Sequence, residues 1–254
     1  MGGPVFIGGS NGSGTRVYAT LMDAAGVFQG REQNYAFEPE AILRYTRSRV
    51  PELMAQTRSP VYEVDALPPP LRNRTVRWLD TFSQALRDDR PPPYSRWGWK
   101  HPRNLYLLPF LHRLFPDAHF VHVVRDGRDM SLADNKGDFR TMNVRFGSPY
   151  PDTPAGAAAF WSDVNTEVAR WGDAHLGPRY VRSRFEDLCA DPEEESSRIL
   201  GALDLAVTDG VERLCADFVK TPATSGRWRS LEEPDRSEVL DAASSGLRNF
   251  GYAA

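Results

Sequence analysis

Short apolar runs alternate along this chain with longer segments in which apolar residues recur every three or four positions. The short runs predict strands that begin at Pro4 or Val5 and cover 97–100, 118–125 and 179–185. The periodic segments predict helices over 14–26, 38–50, 71–89, 104–116, 155–177 and 191–205, and in the C-terminal region. Near-continuous apolar strands such as 118–125 are typical of a parallel sheet that is covered on both faces.

This order of elements predicts an α/β fold with one domain over residues 1–254. We expect a three-layer arrangement, in which a central parallel sheet carries helices on both faces. The chain has 254 residues, of which 41% are hydrophobic, so it can bury a full core. The polar segment 137–154 shows no period and is predicted to be a long loop of the kind that often forms a lid.

Charge and cysteine content restrict the class of protein. The 31 Lys and Arg residues nearly balance the 34 Asp and Glu residues, and a net charge of −3 predicts no general attraction to nucleic acid or to a membrane surface. Two cysteines are too few for a disulfide framework and indicate a reducing compartment. No charged and apolar leader precedes the first strand, so we expect a cytoplasmic protein.

The first strand is followed by a loop rich in glycine, serine and asparagine, "SNGSGTR", and then by a helix. Backbone N–H groups at such a helix N-terminus can hold a phosphate, which predicts a P-loop-like strand–loop–helix. The Walker A pattern nearly fits from Gly9 to Gly14, but the next residue is Thr15 in place of lysine, which argues against ATP or GTP hydrolysis. A tight strand-to-helix connection without a ligand is the alternative for this stretch alone.

Six segments taken in order carry more information than the loop alone. They are "FIGGSNGSGTR", "WKHP", "FPDAHFVHVVRDGRD", "RFEDLCADPEEESSRILGAL", "SGRWR" and a terminal "FGY". Over nearly the whole chain the sequence resembles the sulfotransferases that use 3′-phosphoadenosine 5′-phosphosulfate (PAPS), and is most similar to the branch that includes tyrosylprotein sulfotransferases and many bacterial enzymes. The resemblance implies in-line transfer of a sulfuryl group to an acceptor hydroxyl of a sugar, a phenol, another small molecule or a peptide, with no metal.

The resemblance also implies a donor site. The strand-1 loop and the start of its helix would hold the 5′-phosphosulfate, and Arg125 would hold the 3′-phosphate. Phe185 stands where relatives have an adenine-contacting tyrosine. The residues implied in the loop, and those in the closing donor-binding segment, are Asn11, Gly12, Ser13, Gly14, Thr15 and Arg16, and Ser225, Arg227 and Trp228.

For the chemistry, Lys100 in "WGWKHP" matches the lysine of the family's K-x-P motif, which contacts the transferring group. Cationic side chains and backbone dipoles then stabilise the charge. Two residues are candidates for the general base. Glu32 falls, with a one-residue gap, on the glutamate of the tyrosylprotein branch, and His101 lies one residue short of the histidine of the small-molecule enzymes.

Two positions depart from the family's pattern. Gly12 stands in place of an arginine or lysine, and Ala133 in place of a serine that helps to bind the 3′-phosphate. Arg16, one helical turn away, is expected to supply the cation, so that Gly12→Arg would be tolerated. Ser131 or Asn135 is expected to supply the hydrogen bond.

Two other functions compete with an active sulfotransferase. One is a catalytically weak protein that binds PAPS or its product 3′-phosphoadenosine 5′-phosphate (PAP) and acts through interaction. The other is a nucleotide or sugar kinase, which would need Mg²⁺ ligands and a phosphate-loop lysine. The acceptor site is expected to be lined by the loops 56–70, 91–97 and 137–154, whose content suits several acceptor types.

Overall fold

A computed structural model describes residues 2–134, 137–147 and 150–253. Asn135, one of the two expected hydrogen-bond donors, lies outside these residues. Five strands form one parallel sheet in the order β2-β3-β1-β4-β5. The strands are β1 (Val5–Gly9), β2 (Val27–Phe28), β3 (Arg96–Lys100), β4 (His119–Val124) and β5 (Tyr180–Arg184).

Helices connect the strands and cover the sheet. They are α1 (Thr15–Ala24), α2 (Glu40–Thr57), α3 (Pro69–Asp88), α4 (Asn104–Leu114), α5 (Gly127–Ser131), α6 (Gly137–Arg145), α7 (Pro154–Leu176), α8 (Phe185–Ala190), α9 (Pro192–Ala202), α10 (Asp209–Asp217) and α11 (Asp235–Asn249). The predicted α/β fold with helices around a parallel sheet is therefore confirmed.

Alternate residues of the strands face two separate cores. In β1, Phe6 packs into the larger core, to which α2, α3, α4, α7 and α11 contribute. Its neighbours Val5 and Ile7 face the other core, which is filled from α1, α8, α9 and α10. All five residues of β1 are buried, because both faces of the strand are covered.

The strand order places a switch point at β1. The chain runs from β1 outward to β2 and β3 on one side, and then crosses to β4 and β5 on the other. In open parallel sheets, ligands bind beyond the carboxyl ends of the strands at such a point. The loop after β1 and the ends of β3 and β4 therefore form the first place to look for a site.

The structure corrects the prediction of a long loop over 137–154. Residues Gly137–Arg145 form α6, although the segment contains few apolar residues. Phe139 and Met142, three positions apart, are buried in the larger core, and Asp138 forms an ion pair with Arg103 at 2.7 Å. Tertiary contacts of one narrow face thus stabilise a helix that the polar sequence does not predict.

No helix in the described part of the chain is both long and apolar enough to cross a membrane.

Candidate active site

The loop after β1 has the backbone of an anion-binding turn. Gly12 and Gly14 have φ values of +90° and +91°, in the left-handed region that favours glycine. The N–H of Ser13 donates to the carbonyl oxygen of Ser10 at 3.0 Å, and α1 begins at Thr15 without an acidic residue in its first turn. The free N–H groups and the positive end of the helix dipole therefore point into one region.

Phe185 closes one side of this loop. A Cβ added to Gly14 would lie 2.3 Å from Cδ2 of Phe185, so that only a glycine allows the ring to approach. The guanidinium of Arg125 lies 5.7 Å from the centre of the same ring. The structure thus brings Gly14, Phe185 and Arg125 together, although they are far apart in the sequence.

Arg125, which follows β4, connects the loop to the C-terminal part of the chain. Its Nη1 donates to the carbonyl oxygen of Gly12 at 3.2 Å, and its Nη2 donates to the hydroxyl of Thr224 at 2.9 Å. Nε of Arg125 and the hydroxyl of Ser13 are buried and have no partner among the described residues. Buried polar atoms without partners are uncommon and suggest a missing ligand.

The segment 225–228 is attached to α5 through Asp129. The N–H groups of Gly226 and Trp228 donate to the two carboxylate oxygens of Asp129, at 2.6 and 3.2 Å. The guanidinium of Arg227 donates to the carbonyl oxygen of Asp129 at 2.6 and 3.2 Å. These contacts place Ser225, Arg227 and Trp228 beside the β4 end of the site, next to Thr224.

The structure gives Ser131 an internal role. Its hydroxyl is buried and donates to the carbonyl oxygen of Arg128 within α5, at 2.8 Å. In this arrangement the donor is already used by the helix and is not available at the end of β4.

A cavity of about 410 Å³ opens at the carboxyl ends of β1 and β3. Its walls come from the β1 loop, the turn before α2, α2 itself and the residues after β3. The lining residues are Asn11, Gly12, Gly14, Thr15, Arg16, Asn34, Tyr35, Ala36, Glu38, Leu43, Arg47, Lys100, His101, Pro102 and Arg103.

Lys100 and Glu38 form a buried ion pair in this cavity. Nζ of Lys100 lies 2.9 Å from Oε1 of Glu38, and the two side chains are 2% and 11% exposed. Burial lowers the pKa of Lys100 below its ordinary value; Glu38 opposes this shift, and the charge of Arg16 adds to it. A lysine cation and a carboxylate thus stand together beside the anion-binding turn.

Comparison with known proteins identifies the family of the chain. Residues 4–209 match the model of the sulfotransferase family. The chain belongs to that family. Among curated protein sequences, none matches this sulfotransferase.

Solved structures share its fold at low sequence identity. The sulfotransferase domain of the olefin synthase of Synechococcus PCC 7002 has a TM-score of 0.57 and 18% identity, and the match covers 100% of this chain and 97% of that one. The sulfotransferase domain of the curacin biosynthetic pathway has a TM-score of 0.57 and 15% identity, with 100% and 99% covered. A sulfotransferase from Alicyclobacillus acidocaldarius has a TM-score of 0.53 and 14% identity, with 99% and 97% covered.

In the sulfotransferase, Glu32 does not reach the cavity that contains Lys100. Its exposed side chain lines a separate surface groove with Arg31 and Phe82. The carboxylate beside Lys100 belongs to Glu38, six residues later, for which the sequence offered no signal.

His101 lines the cavity, but both of its ring nitrogens are engaged. Nδ1 accepts the backbone N–H of Arg103 at 3.0 Å, so Nε2 carries the proton and donates to the hydroxyl of Thr46 at 2.9 Å. Burial lowers the pKa of His101 well below its ordinary value, and the charges of Lys100 and Arg103 act in the same direction. A neutral imidazole with no free lone pair is a poor base.

Of the three loops expected to line the acceptor site, one lies next to the β1 loop. Asp138 and Phe139, now part of α6, line a second cavity of about 50 Å³, which also touches Asn11 of the β1 loop. The described residues that line this cavity and the larger one include none from 56–70 or 91–97. Sequence analysis missed Tyr35, Leu43 and Arg47, which lie in the larger cavity.

Proposed function

We propose that this sulfotransferase transfers the sulfuryl group of PAPS to an acceptor hydroxyl, with Lys100 and Glu38 as the catalytic residues. The observation that carries the proposal is the buried contact of 2.9 Å between them, beside the anion-binding turn. A protein that only binds the donor needs no carboxylate at this position. The alternative of a donor-binding protein without turnover therefore has less support.

The residues present fit the donor. It carries a 5′-phosphosulfate and a 3′-phosphate, and both are anions that need N–H donors and cations. The β1 loop with Ser13 and Arg16 would hold the first, and Arg125, whose Nε lacks a partner, would hold the second. The ring of Phe185 lies beside Gly14 and Arg125, next to both of these groups. When bound, the donor supplies an activated sulfuryl group.

The chain's own residues then have separate tasks in the transfer. A lysine ammonium has three N–H donors. Lys100 uses one on Glu38, which leaves others to stabilise the charge that develops on the leaving phosphate. Glu38 takes the proton from the acceptor hydroxyl. The oxygen of that hydroxyl bonds to sulfur while the bond from sulfur to the phosphate oxygen breaks.

The test compares the same substitution at the two candidate carboxylates. Glu38→Gln keeps the size of the side chain but cannot accept a proton, so we expect acceptor-dependent PAP release to fall roughly 10²–10⁴-fold. Glu32→Gln is expected to stay within about threefold of wild type, because surface substitutions away from a site have small effects.

Rates are measured at saturating PAPS over a panel of phenols, sugars and tyrosine peptides. If Glu38→Gln is as active as wild type and Glu32→Gln is inactive, the base is Glu32 and the assignment of Glu38 is wrong. If His101→Asn alone abolishes turnover, the chemistry uses His101 instead.

A further inference from the structure

Asn34 lies at the start of the turn that carries Glu38, and both polar atoms of its side chain are engaged there. Its Oδ1 accepts the backbone N–H of Ala36 at 2.8 Å and that of Glu38 at 3.1 Å. Its Nδ2 donates to Oε2 of Glu38 at 3.1 Å. One side chain therefore holds both the backbone and the carboxylate of Glu38.

These contacts fix which way the amide of Asn34 points. Two N–H donors require the oxygen on one side, so the amino group must face the carboxylate. An aspartate at this position could accept from the same two N–H groups, but it would have no hydrogen to offer Glu38. The two tasks of Asn34 can therefore be separated by substitution.

The backbone closes the same turn independently. The N–H of Asn34 donates to the carbonyl oxygen of Glu38, and the N–H of Phe37 donates to that of Asn34, both at 3.0 Å. Tyr35, at the tip, is 89% exposed, whereas Phe37 packs against the smaller core. The hydrogen bonds to the Glu38 carboxylate come from Asn34 and Lys100.

Those partners hold one oxygen each. Lys100 bonds to Oε1 of Glu38, and Asn34 bonds to Oε2. Lys100 is also the cation expected to engage the sulfuryl donor with its other N–H groups. Asn34 has no such second task, so its bond to Oε2 serves only to hold the carboxylate.

We propose that Asn34 is a positioning residue for the general base. It fixes the direction of the Glu38 carboxylate, so that the carboxylate is in place to accept the proton of the acceptor hydroxyl when Lys100 engages the donor. This inference rests on the proposed function, in which Glu38 is the base.

The sharpest test is Asn34→Asp, which retains the shape and the two bonds to the backbone N–H groups. It places a second carboxylate against Glu38, and two neighbouring carboxylates cannot both ionise easily. We expect the acid limb of the pH–rate profile of PAP formation to move up by about one pH unit or more. The rate at neutral pH should fall roughly tenfold to a hundredfold, while the Kd for PAP stays within about twofold.

The matched control is Asn73→Asp, which makes the same change of charge at an exposed position of α3. It should leave the rate and the acid limb where the wild type has them. If Asn34→Asp does not fold, Asn34→Ser serves instead, because its hydroxyl can still accept from the backbone but cannot replace Nδ2. The acid limb of the pH–rate profile of Asn34→Ser should also move to higher pH, by less than that of Asn34→Asp.

The outcomes separate this inference from the proposed function. An acid limb of Asn34→Asp that coincides with that of Asn73→Asp, together with an inactive Glu38→Gln, overturns the positioning role and leaves the base in place. A lower Tm without a shifted acid limb also overturns it, since that result describes a purely structural residue. An active Glu38→Gln overturns the proposed base itself.

Discussion

The backbone at Gly12 explains why this chain has a glycine where the resemblance led us to expect a cation. Its φ of +90° lies where residues with a Cβ are strained. Space is not the obstacle, because a Cβ there would meet only Cε of Met130, at 3.6 Å. The expectation that Gly12→Arg would be tolerated therefore needs correction.

We expect Gly12→Arg to reduce the free energy of unfolding by about 1–2 kcal/mol, which is the typical cost of a left-handed conformation for a residue with a Cβ. Gly201→Arg is the matched control. Gly201 lies in α9, is exposed and has no atom within 4 Å of an added Cβ, so arginine should leave stability unchanged or raise it. Urea denaturation measures both; equal stabilities of the two variants would contradict the strain at Gly12.

At the scale of elements, segment 225–228 is attached to α5 by hydrogen bonds to the carboxylate and to the carbonyl oxygen of Asp129. Asp129 accepts the N–H groups of Gly226 and Trp228 and is itself 2% exposed. Thr224, just before this segment, is bonded to Arg125. Release of the segment therefore disturbs the place where the 3′-phosphate is proposed to bind.

Asp129→Asn replaces one accepting oxygen by an amino group that faces an N–H donor, so one of the two bonds is lost. Hydrogen bonds to charged groups contribute roughly 1.5–3 kcal/mol, and we expect PAP affinity to fall about tenfold or more. Amide hydrogen exchange at Gly226 and Trp228 should become faster. Asp241→Asn, at an exposed position of α11, should change neither measurement; unchanged PAP affinity in Asp129→Asn would show that the segment does not contribute to the donor site.

The elements also show how far the sequence could be read. Strands β3, β4 and β5 were predicted within one or two residues, and of these three β4 has the near-continuous apolar run of a buried strand. Strand β2 was missed because two residues carry no pattern, and α6 was missed because only Phe139 and Met142 signal its buried face. Hydrophobic periodicity predicts the elements whose own residues show it. Elements without such a pattern are stabilised by tertiary packing and cannot be predicted from the local sequence.

The candidate site divides in the same way. Lys100 and the β1 loop were predicted because they lie in contiguous motifs, and the structure places them in one cavity. Glu38 was missed because it lies in none of the motifs that carry the resemblance. The turn from Asn34 to Glu38 brings its carboxylate to Lys100. The sequence also could not show that the hydroxyl of Ser131 is already engaged, since its bond to the carbonyl oxygen of Arg128 forms only in the helix.

At the scale of the whole molecule, three buried histidines connect stability to pH. Burial lowers the pKa of His119 and of His122 to about 4, and that of His101 well below its usual value. In the unfolded chain the pKa of a histidine is about 6.5, so its side chain takes up a proton as the pH falls through that value. Below that pH the unfolded chain binds more protons than the native one, so stability falls as the pH falls.

We therefore expect the free energy of unfolding to decrease between about pH 6.5 and 5, by up to about 1.4 kcal/mol per pH unit for each such histidine. Urea denaturation at several pH values and constant ionic strength measures the slope. His119→Gln should make it shallower by about one proton, and His175→Gln, at an exposed position of α7, should not change it. A stability that is constant or rises as the pH falls over this range would contradict the buried neutral histidines.

The reaction proposed for this sulfotransferase is the transfer of the sulfuryl group of PAPS to a hydroxyl. The most direct measurement follows a radiolabelled sulfuryl group from PAPS into a panel of phenols, sugars and tyrosine peptides, with PAP quantified in the same reaction. We expect labelled acceptor and PAP in equal amounts from the wild type, and both to form roughly 10²–10⁴-fold more slowly with Glu38→Gln. PAP binding without label in any acceptor, or transfer that Glu38→Gln supports equally well, would contradict it.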